Sequence, residues 1–209
     1  MQSRRHIMST AFAGLALAAC GQSQQTAKAA PASAEDPRPR SYAMLNQPAP
    51  DFALPKLGGG TARLADYANK VVILYFGGLW CPDCVADAAH TNQLAHLAEG
   101  DPDVAFLNIH TQNRFGRWGS NERGREFNLA DSSRAIASYF SETGYRYPVA
   151  FDATRDWAHN TYAIAWSPSF VIVDRAGVIR GWRTDLLNDE GVQSFFAEAR
   201  GIAENRATL

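Results

Sequence analysis

Cysteine is scarce in this chain. Three occur among 209 residues, at Cys20, Cys81 and Cys84. That count excludes a small fold stapled by several disulfides, and a metal centre built from four cysteines. A dominant charge is missing too. Twenty Lys and Arg stand against 21 Asp and Glu, a formal net charge of −1, with no long basic run. The electrostatic footprint of nucleic-acid binding is therefore absent. An uncharged, largely apolar stretch near the start, residues 7–19, is too short to cross a bilayer core of about 30 Å at roughly 1.5 Å per residue. What remains is 46% hydrophobic and 20% charged residues, the composition of one globular domain rather than a disordered chain.

Arg4 and Arg5 precede the apolar stretch and small residues close it, the pattern of an export signal over residues 1–19. Its exit, Leu17-Ala18-Ala19-Cys20, resembles the lipobox of bacterial lipoproteins, which implies a lipid on Cys20. The alternative is an ordinary signal cut after Ala16-Leu17-Ala18, leaving Cys20 free. Ser3-Arg4-Arg5 also resembles a twin-arginine signal. Residues 20–40 are rich in Gln, Ala, Ser and Pro, and Pro31, Pro37 and Pro39 break any helix, so they read as a flexible tether. The folded domain is then residues 41–209.

Within it, residues 71–76 (Val-Val-Ile-Leu-Tyr-Phe) form a continuous apolar run, suited to a strand buried on both faces, and Gly77-Gly78 ends it. From Pro82 to about Glu99 the pattern is helical, with proline at the first turn and Gly100 past the end. Residues 104–109 read as a second strand, parallel to the first. Residues 131–142 read as a helix and 147–151 as a short strand. Asp174-Arg175-Ala176-Gly177, between the apolar segments 170–173 and 178–182, signals a hairpin, and a last helix covers about 188–204. An initial βαβ unit and a terminal hairpin with its helix predict an α/β fold with a mixed sheet and helices on both faces. Residues 111–130 read as a long polar insertion, of the kind that is functional or disordered.

Trp80-Cys81-Pro82-Asp83-Cys84 falls where the first strand gives way to the helix. Cysteines at i and i+3 share a helix face and can form a disulfide without rearranging the backbone. Cys81 stands at the helix N-terminus, where unpaired N–H groups and the dipole favour an anion by about 0.3–1 kcal/mol when exposed and up to about 2 when partly buried. The thiolate is the attacking species, so Cys81 is the candidate nucleophile and Cys84 the resolving thiol. Asp83 opposes a second negative charge beside it, which points to a reductant rather than a strong oxidant. A zinc half-site completed by histidines and a purely structural disulfide are the competing readings. The histidines lack a paired spacing, and a bridge over so small a loop removes little unfolded-state entropy.

Taken together, these segments resemble the thioredoxin superfamily, and within it the membrane-anchored TlpA/ResA-like thiol-disulfide oxidoreductases. The resemblance covers most of residues 45–205. It rests on Ala49-Pro50-Asp51-Phe52-Ala53-Leu54, on the strand leading into the Cys-Pro-Asp-Cys segment, and on Trp166-Ser167-Pro168-Ser169-Phe170 with the hairpin that follows. It implies a thioredoxin-like three-layer fold with an extra N-terminal hairpin. It also implies a cis peptide before Pro168, and pairing of extended substrate with the backbone of Ser167. Two departures stand out. The buried Asp that many thioredoxins carry six residues before the first cysteine is replaced by Tyr75. The Glu often found three residues after the second is Asp87, one helical turn from Cys84 and the candidate for proton transfer there. Trp80 and Trp166 flank the two segments as a candidate apolar rim, or as core residues.

His110 ends the second strand at the same sheet edge as Cys81. The insertion that begins there carries Arg114, Phe115, Arg117, Trp118, Arg123 and Arg125 beside Glu122 and Glu126, either a partner-recognition loop or a solvated one. The resulting expectation is an envelope reductase on the periplasmic side, lipid-anchored at Cys20, with no cofactor or metal. It would act on disulfide-containing envelope proteins and draw electrons from a membrane-embedded donor. Two alternatives use the same fold. One is a thiol peroxidase, which would want a Thr where Gly78 stands. The other is a copper carrier adding His110 or His159 to the cysteines, since thiolates suit Cu(I).

Overall fold

The computed structural model describes residues 44–112, 128–152 and 157–205. The export signal, Cys20, the tether and the charged and aromatic residues named in the insertion lie outside the described residues. In chain order the elements are β1 (Ala53–Pro55), β2 (Thr61–Arg63), a 3-10 turn over Leu64–Tyr67, β3 (Val71–Gly77), α1 (Pro82–Ala86), α2 (Ala88–Glu99), β4 (Val104–His110), α3 (Leu129–Thr143), β5 (Val149–Phe151), α4 (Trp157–Tyr162), β6 (Ser169–Val173), β7 (Ile179–Arg183) and α5 (Asp189–Glu204).

All seven residues of β3 are buried, as their unbroken apolar run requires of a central strand. The sheet order is β5-β4-β3-β6-β7, with β3, β4 and β5 parallel and β6 and β7 antiparallel to their neighbours. This is a thioredoxin-like α/β fold. Alternation along β3 divides the core. Val72, Leu74 and Phe76 face the β1–β2 hairpin and α4, where Phe52, Ala158 and Tyr162 pack on them. Val71, Ile73 and Tyr75 face α2 and α5 and meet Leu94, Phe195 and Ala199. Each such side chain stabilises the fold by about 1.5–3 kcal/mol relative to exposure. Helix α3 closes the β5 side through Ile136 and Phe140. Asn128 caps its start by accepting from Asp131 N, and Gly144, at φ 72°, ends it.

The single helix expected from Pro82 to Glu99 is bent at Asp87. The bonds Asp87 N to Asp83 O and Thr91 N to Asp87 O, both 2.9 Å, run across the bend, so α1 and α2 form one interrupted rod. A sequence pattern carries no mark of such a bend. Helix α4 was not foreseen. Six residues are too short a window for a helical period to show.

The chain entering the domain touches both sides of the sheet. Asn46 N donates to Ile179 O (2.8 Å) and Ile179 N to Gln47 O (3.0 Å) at β7. Ten residues on, Leu57 N donates to Val149 O (2.9 Å) at β5, next to a bridge between Lys56 and Ala150.

Candidate active site

Strand β3 ends in Gly77-Gly78 because no side chain fits there. A Cβ on Gly77 would collide with the Tyr75 hydroxyl and stand 3.0 Å from Cys84 Sγ. One on Gly78 would collide with the Trp80 indole and stand 3.1 Å from Thr111 O. The chain then turns into α1 at Cys81, whose extended backbone makes it the N-cap, with Pro82 in the first turn. Cys84 N donates to Cys81 Sγ at 3.3 Å, and both cysteines are free thiols, each 4% exposed.

Across from this turn, the Ser167–Pro168 peptide is cis, the isomer that the resemblance implied. The Cys81 thiol donates to Ser167 O at 3.4 Å. Cys81 therefore sits between the N-terminus of its own helix and the backbone just before β6. The two tryptophans part company. Trp80 is buried and its Nε1 donates to Thr111 O at 2.5 Å, whereas Trp166 is 45% exposed beside Ser167. A shallow groove lined by Trp80, Thr111, His159, Trp166 and Ser167 runs past this side of the site.

The environment splits the two thiols. Cys81 is held below the ordinary thiol value, first by the hydrogen bond from the Cys84 side chain and then by the Cys84 N–H. Burial and the Asp83 carboxylate work the other way. Cys84 is pushed well above it, first by burial and then by Cys81. A low-pKa thiol at the helix start, backed by a protonated one, is the arrangement that lets one sulfur attack and the other follow.

Asp87 is buried, and its carboxylate is taken up. Oδ2 accepts from Leu186 N at 3.0 Å, and Oδ1 from Leu187 N at 3.1 Å while also meeting His90 Nδ1 at 3.0 Å. The side chain that approaches Cys84 from the sheet is Tyr75, whose hydroxyl and the Cys84 sulfur both face the space a Cβ on Gly77 would fill. In the sequence Tyr75 read only as the loss of an aspartate. The signal that could have found it was the pair of glycines following it, which clear the space its hydroxyl occupies. His110 lies buried beside this cluster, with Leu79 N directed at its Nε2 (3.4 Å), and burial lowers its pKa to about 4. His159 is apart from it, its Nδ1 3.0 Å from Ile164 O.

A thioredoxin-like fold with a close cysteine pair at a strand–helix junction, opposed by a cis-proline loop, defines a thiol-disulfide oxidoreductase. The comparisons agree. A family model described as the AhpC/TSA family matches residues 45–181, and the chain belongs to that family. Among curated proteins it is similar to the thiol-disulfide oxidoreductase ResA of Geobacillus kaustophilus, 24% identical over 145 residues, which span 69% of this chain and 72% of the relative. Among solved structures it resembles the pneumococcal exposed lipoprotein thioredoxin Etrx1 of Streptococcus pneumoniae (TM-score 0.54, 23% identity, 71% of this chain and 99% of that one). It also resembles a secreted thiol-disulfide isomerase from Corynebacterium glutamicum (TM-score 0.57, 16% identity, 75% and 86%). The enzyme is thus a TlpA/ResA-like member of the thioredoxin superfamily.

Proposed function

We propose that the protein reduces disulfides of extracytoplasmic proteins through a dithiol formed by Cys81 and Cys84. Cys81 attacks a substrate disulfide, forming a mixed disulfide, and Cys84 resolves it. The observation that carries this reading is the position of Cys81 Sγ, 3.3 Å from Cys84 N and 3.4 Å from Ser167 O. The first contact favours a thiolate, and the second puts the sulfur beside backbone that can pair with an extended chain. In this reading Ser167, Pro168 and the exposed Trp166 receive the substrate strand, and Trp80 holds the wall behind it. Asp87, one turn from Cys84, is the sequence candidate for handling its proton; with both oxygens taken by Leu186 N, Leu187 N and His90, it serves in this reading to fix the helix bend. The reducing direction is inferred from Asp83, which disfavours the thiolate, although the Cys84 contacts outweigh it and hold Cys81 below the ordinary thiol value.

Residues 1–19 are assigned to export, Cys20 to lipid attachment and residues 20–40 to a tether that keeps the domain, residues 41–209, near the periplasmic membrane surface. The exposed lipoprotein and secreted isomerase among the similar structures support a location outside the cytoplasm. Structural disulfides persist in that compartment, so a reductase there must be recharged, and a membrane-embedded thiol donor is the class of partner that can do so. The peroxidase alternative is disfavoured by Gly78, since even a Cβ there collides with the Trp80 indole.

The test is a trap. A Cys84→Ser variant expressed in its own envelope accumulates substrates disulfide-linked to Cys81, separable on a non-reducing gel and absent from the Cys81→Ser control. No trapped partner, together with stoichiometric copper on the purified protein, would replace this reading with the copper carrier.

A further inference from the structure

Beside Cys84 is a small cavity of about 20 Å³ that shares no lining residue with the groove past Trp166 and Ser167. Tyr75, Cys84, Asn108, His110 and Tyr147 are among the residues that line it. Strand pairing brings these polar groups together, since Tyr75 lies opposite Asn108 and Gly77 opposite His110 in the parallel β3–β4 register. The alternation of β4 then turns Asn108 and His110 to the same face as Tyr75. Tyr75, Asn108 and His110 are each 3% exposed. The Asn108 side chain lies near Tyr147, yet its Oδ1 finds no partner, and neither does His110 Nδ1. Buried polar atoms are paired in all but a few cases, and a cavity of roughly 10–15 Å³ already admits one water if polar groups surround it.

We propose that this cavity holds one ordered water, anchored by Asn108 and His110. The water and the Tyr75 hydroxyl together manage the proton of Cys84 when the mixed disulfide resolves. The proposal rests on the reading of Cys84 as the resolving thiol. Cys84 Sγ–H gives its proton to the water, which passes it to solvent. The Cys84 thiolate attacks Cys81 Sγ, forming the Cys81–Cys84 disulfide and breaking the bond from Cys81 to the substrate sulfur. The substrate thiolate leaves with that electron pair and takes a proton from solvent. The substrate is reduced by two electrons and the cysteine pair oxidised by two.

Tyr75 stays neutral throughout, because burial raises its hydroxyl well above the ordinary phenol value. It therefore donates to the forming thiolate and does not act as a base. His110, lowered to about 4, is likewise neutral near pH 7 and holds the water without taking the proton. Among the described residues, the ionisable groups lining this space besides Cys84 are Tyr75 from β3, His110 from β4, Tyr139 from α3 and Tyr147 before β5, and Cys81 stands beside Cys84 at the start of α1. None of them is a carboxylate. Tyr75 touches the reacting sulfur and is a catalytic residue on this account. Asn108 acts through the water and is a positioning residue.

The experiment forms a mixed disulfide between Cys81 and 5-thio-2-nitrobenzoate on the full chain and follows release of the coloured thiol against pH. Tyr75→Phe keeps the ring stacked on Phe170 (4.8 Å between centroids) and removes only the hydroxyl. It is expected to slow release about tenfold at pH 7 and to raise the midpoint of the pH profile by about one unit. Asn108→Ala is expected to shift the midpoint in the same direction. In both variants alkylation of Cys81 by iodoacetamide keeps its wild-type pH dependence. Wild-type release rates and midpoints in both variants would overturn the proposal. Release from Cys84→Ser as fast as from the wild type would instead overturn the assignment of Cys84 as the resolving thiol.

Discussion

Asp87 Oδ2 accepts the backbone N–H of Leu186 at 3.0 Å, joining residues 99 positions apart in the chain. With Leu187 N on the other oxygen, the carboxylate ties the bend between α1 and α2 to the segment that enters α5. The turn carrying both cysteines is thereby held against the C-terminal part of the chain.

Replacing Asp87 with Asn keeps one acceptor and loses the charge. Thermal or urea unfolding is expected to show a loss of about 1–3 kcal/mol, the cost of weakening charge-assisted bonds to buried amides. The pH midpoint of Cys84-dependent release is expected to stay where it is. A displaced midpoint would assign Asp87 to proton transfer instead.

Asp83 raises the Cys81 thiol, so Asp83→Asn lowers it further. Alkylation of Cys81 between pH 6 and 7 is expected to speed up, and the pair to become more oxidising against a glutathione buffer. Asp83 is exposed, so the effect is small and shrinks with added salt. Equal alkylation profiles in the two proteins would remove the electrostatic argument for a reductant.

His110 supplies a pH dependence of stability. Its folded pKa of about 4 lies below the ordinary 6.5, so the unfolded chain binds more protons between those values. Stability is therefore full above about pH 6.5 and falls as the pH drops towards 4, by up to about 3 kcal/mol. In His110→Gln that component disappears. Urea titrations of both proteins at pH 7.5 and 4.5 measure it as a difference, free of the carboxylates common to both.

Gly77→Ala introduces a methyl group into the space of the Tyr75 hydroxyl, next to Cys84. Overpacking of this kind costs about 1–3 kcal/mol. If the ring yields, release from the mixed disulfide slows as it does in Tyr75→Phe. Wild-type stability and kinetics in this variant would show that the close approach is unimportant.

The strands and the long helices could be read directly, because each carries its own pattern. Residues 71–76 are apolar throughout since β3 is buried on both faces, and Asp174 to Gly177 form a turn whose Gly177 has φ 77°. The cysteine pair was equally plain, being a local spacing at a strand–helix junction. Other features were not legible because they depend on contacts between distant segments. Nothing near Asp87 announces Leu186 and Leu187 as its partners. Trp80 and Trp166 have similar neighbours in sequence, yet one is packed against Thr111 and the other stands in solvent. Tyr75 stood out as a missing base. Its contact with Cys84 follows only once β3 and β4 are in register and the glycines after it are seen to make room.

The chain entering the domain binds β7 through residues 46–47 and β5 through residues 56–57, the two outer strands of the sheet. Outer strands carry unpaired backbone groups that recruit other extended chains and seed aggregation. An oxidoreductase that acts on disulfides of other proteins brings its sheet edges close to their chains. A segment clasping both borders leaves fewer places for a client polypeptide to adhere nonproductively. On the proposed reading it favours docking at the backbone of Ser167, whose carbonyl lies 3.4 Å from Cys81 Sγ.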